Sequence, residues 1–113
     1  IEHIMPDSGK NLQEIRKDAN IQSEDEFKGI VNKIGNKIVL EEKINRSIGN
    51  EWFRTKVSTK LDDKTGYVDS VFPIAQYLVS KYKSENKPYW RKEDIIQATN
   101  EAKDRILKFI FGE

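Results

Sequence analysis

Glu2 and His3 open the chain side by side, and His3 is its only histidine. A neutral imidazole titrates near working pH, so it can act as general base toward a water molecule. Two asparagines stand further on, Asn36 directly after Gly35 and Asn45 in the segment KINR. A strand-borne carboxylate at Glu2 and an amide oxygen at Asn45 would supply two oxygen ligands, a set suited to one Mg2+ or Mn2+ ion. Magnesium fills its remaining positions with water and substrate phosphate. These parts describe hydrolysis of a phosphodiester: His3 takes a proton from the attacking water, and the cation neutralises charge on the phosphate and the leaving 3′ oxygen.

Positioning those groups makes demands on the backbone. Adjacent residues of a regular strand face opposite ways, so Glu2 and His3 share a site only where the strand twists or ends. Pro6 and the turn residues Asp7-Ser8-Gly9 supply such an ending. The competing structural reading puts His3 on a strand face with Ile1 and Met5, as an ordinary partly buried histidine. Asn36 also suits a turn after Gly35 without any chemistry. Asn45 is harder to place that way, because asparagine is a mediocre residue inside a helix.

The elements follow from pattern. Residues 1–5 read as a short strand, and 36–40 (NKIVL), apolar and β-branched, as a second. Between them, residues 10–22 are polar with a weak helical pattern at Leu12 and Ile15. Ser23 with Glu26 three residues on forms a capping box for a helix carrying Phe27, Ile30 and Val31, which Gly35 ends. Leu40, Ile44 and Ile48 share one helical stripe closed by Gly49. Asn50 can cap a helix burying Trp52 or Phe53 with Val57, and residues 62–66 form a loop. Ser70 can cap the next helix, with Pro73 in its first turn and Val71, Ile74, Ala75, Leu78 and Tyr82 inward. After a loop at 84–88, a long helix from Ile95 to Phe109 places Ile95, Ile96, Thr99, Ala102, Ile106 and Phe109 inward. The domain reading is a core over 1–60 with a helical insertion at about 10–34, and a helical extension over 61–113 packed on it.

Three strings then carry a resemblance. EHIMP at 2–6, GNKIVL at 35–40 and KINR at 43–46 resemble the signatures of HNH, or ββα-metal, endonucleases. The continuation with Asn50, Phe53 and Lys56, and the late Trp90, is similar to the C-terminal nuclease domain of GmrSD-type modification-dependent restriction enzymes. The resemblance covers residues 1–60 well and the helical remainder loosely. It implies an α+β, mostly helical fold: a ββα-metal finger with a two-stranded hairpin, then a C-terminal helical bundle. Carried over by position, it makes His3 the general base, Glu2 and Asn45 the metal ligands, and Asn36 the brace of the loop that positions the base. Arg46 and Lys56 become phosphate contacts, with Lys43 and Arg54 beside them; all four also read as solvated surface cations. Two departures stand out. Glu2 replaces the commoner aspartate, and Ala98 stands where the family often has arginine.

Composition sets the frame. With 36% hydrophobic and 35% charged residues among 113, the chain is polar but long enough for one core. It has no cysteine, which removes thiol chemistry and cysteine-ligated zinc and fits a reducing cytoplasm; the resemblance implies a bacterial or archaeal one. No apolar run approaches the ~18 residues of a membrane span. Net charge is only +1, yet Lys28 to Lys60 holds eight basic residues against Glu41, Glu42 and Glu51. That excess suits a polyanion and equally a solvated helix face; the resemblance implies that the polyanion is double-stranded DNA, modified DNA included. The expected partners are DNA and an upstream domain of a longer protein whose C-terminal portion this would be. A ribonuclease using the same groups, and a non-catalytic helical module, are the competing readings.

Overall fold

Two short strands hold the ends of the first 40 residues together. In the computed structural model, which describes residues 2–58, 66–87 and 89–112, β1 (Glu2–His3) pairs antiparallel with β2 (Lys37–Ile38). The register sets Glu2 opposite Ile38 and His3 opposite Lys37. Glu2 and Ile38 are buried, whereas His3 is half-buried and Lys37 exposed. Cross-strand partners share a face, so the hairpin turns Glu2 inward and His3 to its other side.

The segment between the strands contains α1 (Leu12–Asp18) and α2 (Glu24–Val31). The weak pattern at Leu12 and Ile15 thus does form a helix, held by buried Ile15. Ser23 caps α2 as its spacing predicts, accepting from the Glu26 N–H at 3.1 Å, and Phe27, Ile30 and Val31 face the core. Gly35 has a different task from ending that helix, which already stops at Val31. It lies in a 3₁₀ turn, Ile34–Asn36, pressed against the last helix. A Cβ there would stand 2.4 Å from the Thr99 nitrogen and 2.5 Å from the Ile95 oxygen, both backbone. Only glycine lets the turn approach so closely. The Gly35 N–H donates to Thr99 Oγ1 at 3.1 Å, and that hydroxyl donates to the Ile95 carbonyl at 2.7 Å.

After β2 come α3 (Glu42–Ile48), closed by Gly49 at φ +50°, and α4 (Phe53–Ser58). Leu40, Ile44 and Ile48 are buried together as their four-residue spacing requires, and Phe53 rather than Trp52 joins Val57 in the core. The loop expected at 62–66 falls almost wholly outside the described residues. A second 3₁₀ turn, Tyr67–Asp69, leads to α5 (Pro73–Glu85), with Pro73 in the first turn. Ser70 does not cap this helix. It sits in the turn before it, accepting from the Phe72 N–H and donating to Glu41. Val71 is solvent-exposed, and Val79 takes the inward place beside Ala75 and Leu78.

The last helix, α6 (Lys92–Phe111), is longer than its sequence pattern suggests. Its first half packs through Asp94, Ile95 and Thr99. The inward positions expected for Ile96, Ile106 and Phe109 are not realised; all three are exposed. Amphipathic spacing marks a face that wants burial without saying what covers it. The core is one cluster running from Ile4 and Met5 through Ile44 and Val57 to Ala75, Trp90 and Ile95, with Phe53 stacked on Trp90 at 5.5 Å. Among the described residues, no helix is long and apolar enough to cross a membrane.

Candidate active site

The strand carrying the only histidine is gripped from two directions. On one side is Asn36, wholly buried at the end of the 3₁₀ turn. Its Oδ1 accepts from the Met5 N–H at 2.7 Å and from Trp90 Nε1 at 3.1 Å, and its Nδ2 donates to the carbonyls of Met5 at 3.0 Å and Val31 at 2.9 Å. A buried carboxamide with four partners is fully satisfied and fixed in rotation. Backbone pairing extends the grip, since the Ile4 N–H donates to the Asn36 carbonyl at 2.8 Å. Asn36 thus ties residues 4 and 5 to Val31 and Trp90.

On the other side is Lys56, and here expectation and structure part. Lys56 is not a surface cation available to phosphate; its side chain is 0% exposed. From α4 its Nζ reaches Glu2 Oε1 at 2.5 Å, the His3 carbonyl at 2.8 Å and the Ile4 carbonyl at 3.0 Å. An ammonium has three protons, and all three are used. Burial with hydrogen-bonded opposite charge is the condition under which such a charge survives away from water.

Glu2 answers that cation. Its Oε2 accepts from the Tyr67 hydroxyl, so each carboxylate oxygen is engaged. Burial pushes the Glu2 carboxyl up from its ordinary range, against the pull of Lys56 and the Tyr67 hydrogen bond. Burial likewise pushes Lys56 down, opposed by Glu2, and drives the Tyr67 phenol well up. Tyr67 carries no sequence signal of its own. A buried lysine demands a carboxylate, but a phenol completing that carboxylate's shell follows only from the fold.

Nε2 of His3 is out of contact with solvent and has no hydrogen-bond partner among the described residues, while the residue as a whole is only half-buried. An enclosed polar atom without a partner asks for one that the described residues do not supply. Asn45, in the middle of α3, is half-buried, and its side chain has no hydrogen bond among the described residues. Lys43, Arg46 and Arg54 are exposed; Arg46 pairs with Glu42 one turn back, and Arg54 lies 4.9 Å over the Trp52 ring.

A divalent ion can be tested against these donors. Asn45 has an uncommitted amide oxygen, as an oxygen-ligated site requires. Glu2 fits less well, because its oxygens already accept hydrogen bonds, an ammonium lies against one of them, and it leaves the hairpin on the face opposite His3. Among the described residues no cluster of three histidine, cysteine, aspartate or glutamate side chains could hold a metal.

The domain is mostly helical, with a two-stranded hairpin whose strand carries His3 and is tied down by a buried asparagine and a buried lysine. The chain belongs to the family of GmrSD restriction endonuclease C-terminal domains, whose model matches residues 1–102. No curated protein and no solved structure shows significant similarity to it.

Proposed function

We propose that this domain is the HNH-type nuclease of a restriction or phage-defence protein, hydrolysing DNA phosphodiester bonds with His3 as general base. One observation carries the reading. Asn36 and Lys56 come from distant parts of the chain, yet the side chain of each spends two hydrogen bonds on the backbone of residues 3–5. Such investment in a three-residue strip makes sense if the side chain it orients, His3, has to be held in place.

His3 takes the proton of a water attacking phosphorus. The water oxygen bonds to phosphorus as the P–O3′ bond breaks, and the departing 3′ oxygen takes a proton from solvent, leaving 5′-phosphate and 3′-hydroxyl ends. Lys43, Arg46 and Arg54 are exposed, and in this reading they meet backbone phosphates, which position the duplex without reading its sequence. The resemblance adds one Mg2+ or Mn2+ ion with Asn45 and Glu2 as protein ligands; bound, it would offset charge on the phosphate. Asn45 would offer an amide oxygen that accepts no hydrogen bond from the described residues, whereas Glu2 would serve only by exchanging Lys56 or Tyr67 for the ion. Choice of target, including modified DNA, is assigned to an upstream domain, and the setting to the cytoplasm of a bacterium or archaeon.

Plasmid nicking in Mg2+ or Mn2+ tests the proposal, with structured RNA in parallel. Wild type should nick the plasmid, EDTA should stop it, and His3→Ala should lose about 100-fold or more, the usual scale of a general base. Equal nicking by the variant ends the assignment. Cleavage of the RNA alone would make the domain a ribonuclease.

A further inference from the structure

Glu2 stands where the resemblance puts a metal ligand, yet its surroundings belong to a different role. Its side chain is 5% exposed and both carboxylate oxygens are engaged, Oε1 by Lys56 Nζ at 2.5 Å and Oε2 by the Tyr67 hydroxyl. To take an ion, Glu2 would have to release one of these partners. Lys56, with its side chain 0% exposed, has no second ion pair among the described residues, so releasing it leaves a buried charge unanswered. Tyr67 is wholly buried, and among the described residues its hydroxyl bonds to Glu2 alone; releasing it strands a buried donor. Direction weighs the same way. The hairpin register turns Glu2 and Ile38 to one face and His3 and Lys37 to the other, so an ion on Glu2 would lie across the strand from the imidazole.

Side-chain length fits a mechanical task. Aspartate, the commoner residue here, ends one methylene sooner, about 1.5 Å. That leaves it short of holding an ammonium from α4 and a phenol from the turn at Tyr67–Asp69 where they stand; glutamate spans them. Through Lys56 the effect returns to the strand, because the same Nζ donates to the carbonyls of His3 at 2.8 Å and Ile4 at 3.0 Å. Glu2 fixes the ammonium, and the ammonium fixes the backbone that carries the imidazole.

We propose that Glu2 is a positioning residue for His3 and not a ligand of the metal, with Tyr67 completing a strut that runs from its hydroxyl through Glu2 and Lys56 to the His3 backbone. This assignment, which rests on the nuclease reading, leaves Asn45 alone of the two implied ligands.

Putting aspartate at position 2 separates the two roles. As a ligand, aspartate would serve as well as glutamate, and Glu2→Asp would nick plasmid at the wild-type rate. As a member of the strut it is too short: kcat should fall about tenfold with KM for plasmid unchanged, at a temperature where circular dichroism shows the variant folded. Tyr67→Phe, which takes away only the hydroxyl on Glu2, should lower kcat about threefold in the same way. Mn2+ affinity, read from the paramagnetic resonance of the free ion, should stay within about twofold of wild type in both variants, whereas disturbing a ligand or its support costs roughly 10–100-fold. Added Mn2+ should restore neither rate. His3 is the only histidine, so its ring gives one set of NMR lines, and both variants should shift them. If wild type nicks nothing, the nuclease reading falls, and the Mn2+ and NMR measurements still judge Glu2. A wild-type rate in Glu2→Asp, Mn2+ affinity lost in either variant, a rate restored by added Mn2+, or His3 lines unmoved in both variants would each overturn the assignment.

Discussion

Lys56 and Glu2 form a 2.5 Å salt bridge across 54 residues of sequence, with side chains 0% and 5% exposed. The pair joins α4 to the first strand at the point where that strand carries the histidine. Taking either member away leaves a charge in the interior with nothing to answer it.

Lys56→Met should therefore cost about 3–5 kcal/mol in urea unfolding, the usual scale for breaking a buried pair from one side. The double variant Glu2→Gln/Lys56→Met should recover much of that loss, because it removes both charges. A double variant no more stable than Lys56→Met would show that the three hydrogen bonds of the ammonium, and not its charge, hold the strand.

Asn36→Ala should be similarly severe. It strips partners from the Met5 N–H, the Met5 and Val31 carbonyls and the Trp90 indole, all in the interior. At roughly 1–3 kcal/mol per stranded group, a loss of about 3–5 kcal/mol is expected after relaxation. Trp90→Phe keeps the ring stacked near Phe53 and removes one donor, so it should cost only about 1 kcal/mol. Chemical denaturation of the three proteins side by side checks the ranking.

Glu41 provides a pH signature away from the candidate site. Its Oε1 accepts from the Ser70 hydroxyl at 2.6 Å and its Oε2 from the Val71 N–H at 3.1 Å, tying the start of α3 to the entry of α5. The Ser70 hydrogen bond, chiefly, lowers its carboxyl below the ordinary 4.5. A depressed folded-state value means that the contribution is complete above pH 4.5 and fades as pH falls through the folded value. Glu41→Gln should thus be less stable than wild type near neutrality and equal to it in strong acid. Unfolding curves from pH 7 to pH 3 that stay parallel would refute this.

Cation binding gives a fourth check. With the ammonium of Lys56 against Glu2, titration of the free protein with Mn2+ should show weak binding, and Asn45→Ala should weaken it further. Tight binding, indifferent to Asn45, would place the ion elsewhere.

Local chemistry made much of this legible in advance. Ser23 and Glu26 announce the start of α2; Ile44 and Ile48 name the buried face of α3; Gly49 marks its end; Pro73 falls in a first turn. Each is a matter of neighbours within four residues, where backbone preference and hydrogen-bond reach are decided locally. Three-dimensional packing decided the rest. Gly35 looks like a helix stop and is a contact surface for Thr99. Lys56 looks like a surface cation and is an interior brace.

The sequence by itself determined most of the elements and the family to which they belong, because period, capping and motif are written in short stretches of chain. Only the tertiary structure decided that Glu2 faces Lys56 and Tyr67 while His3 Nε2 finds no partner among the described residues. Those pairings bridge more than 50 residues and depend on which charges lose water together, a cost that no local pattern records.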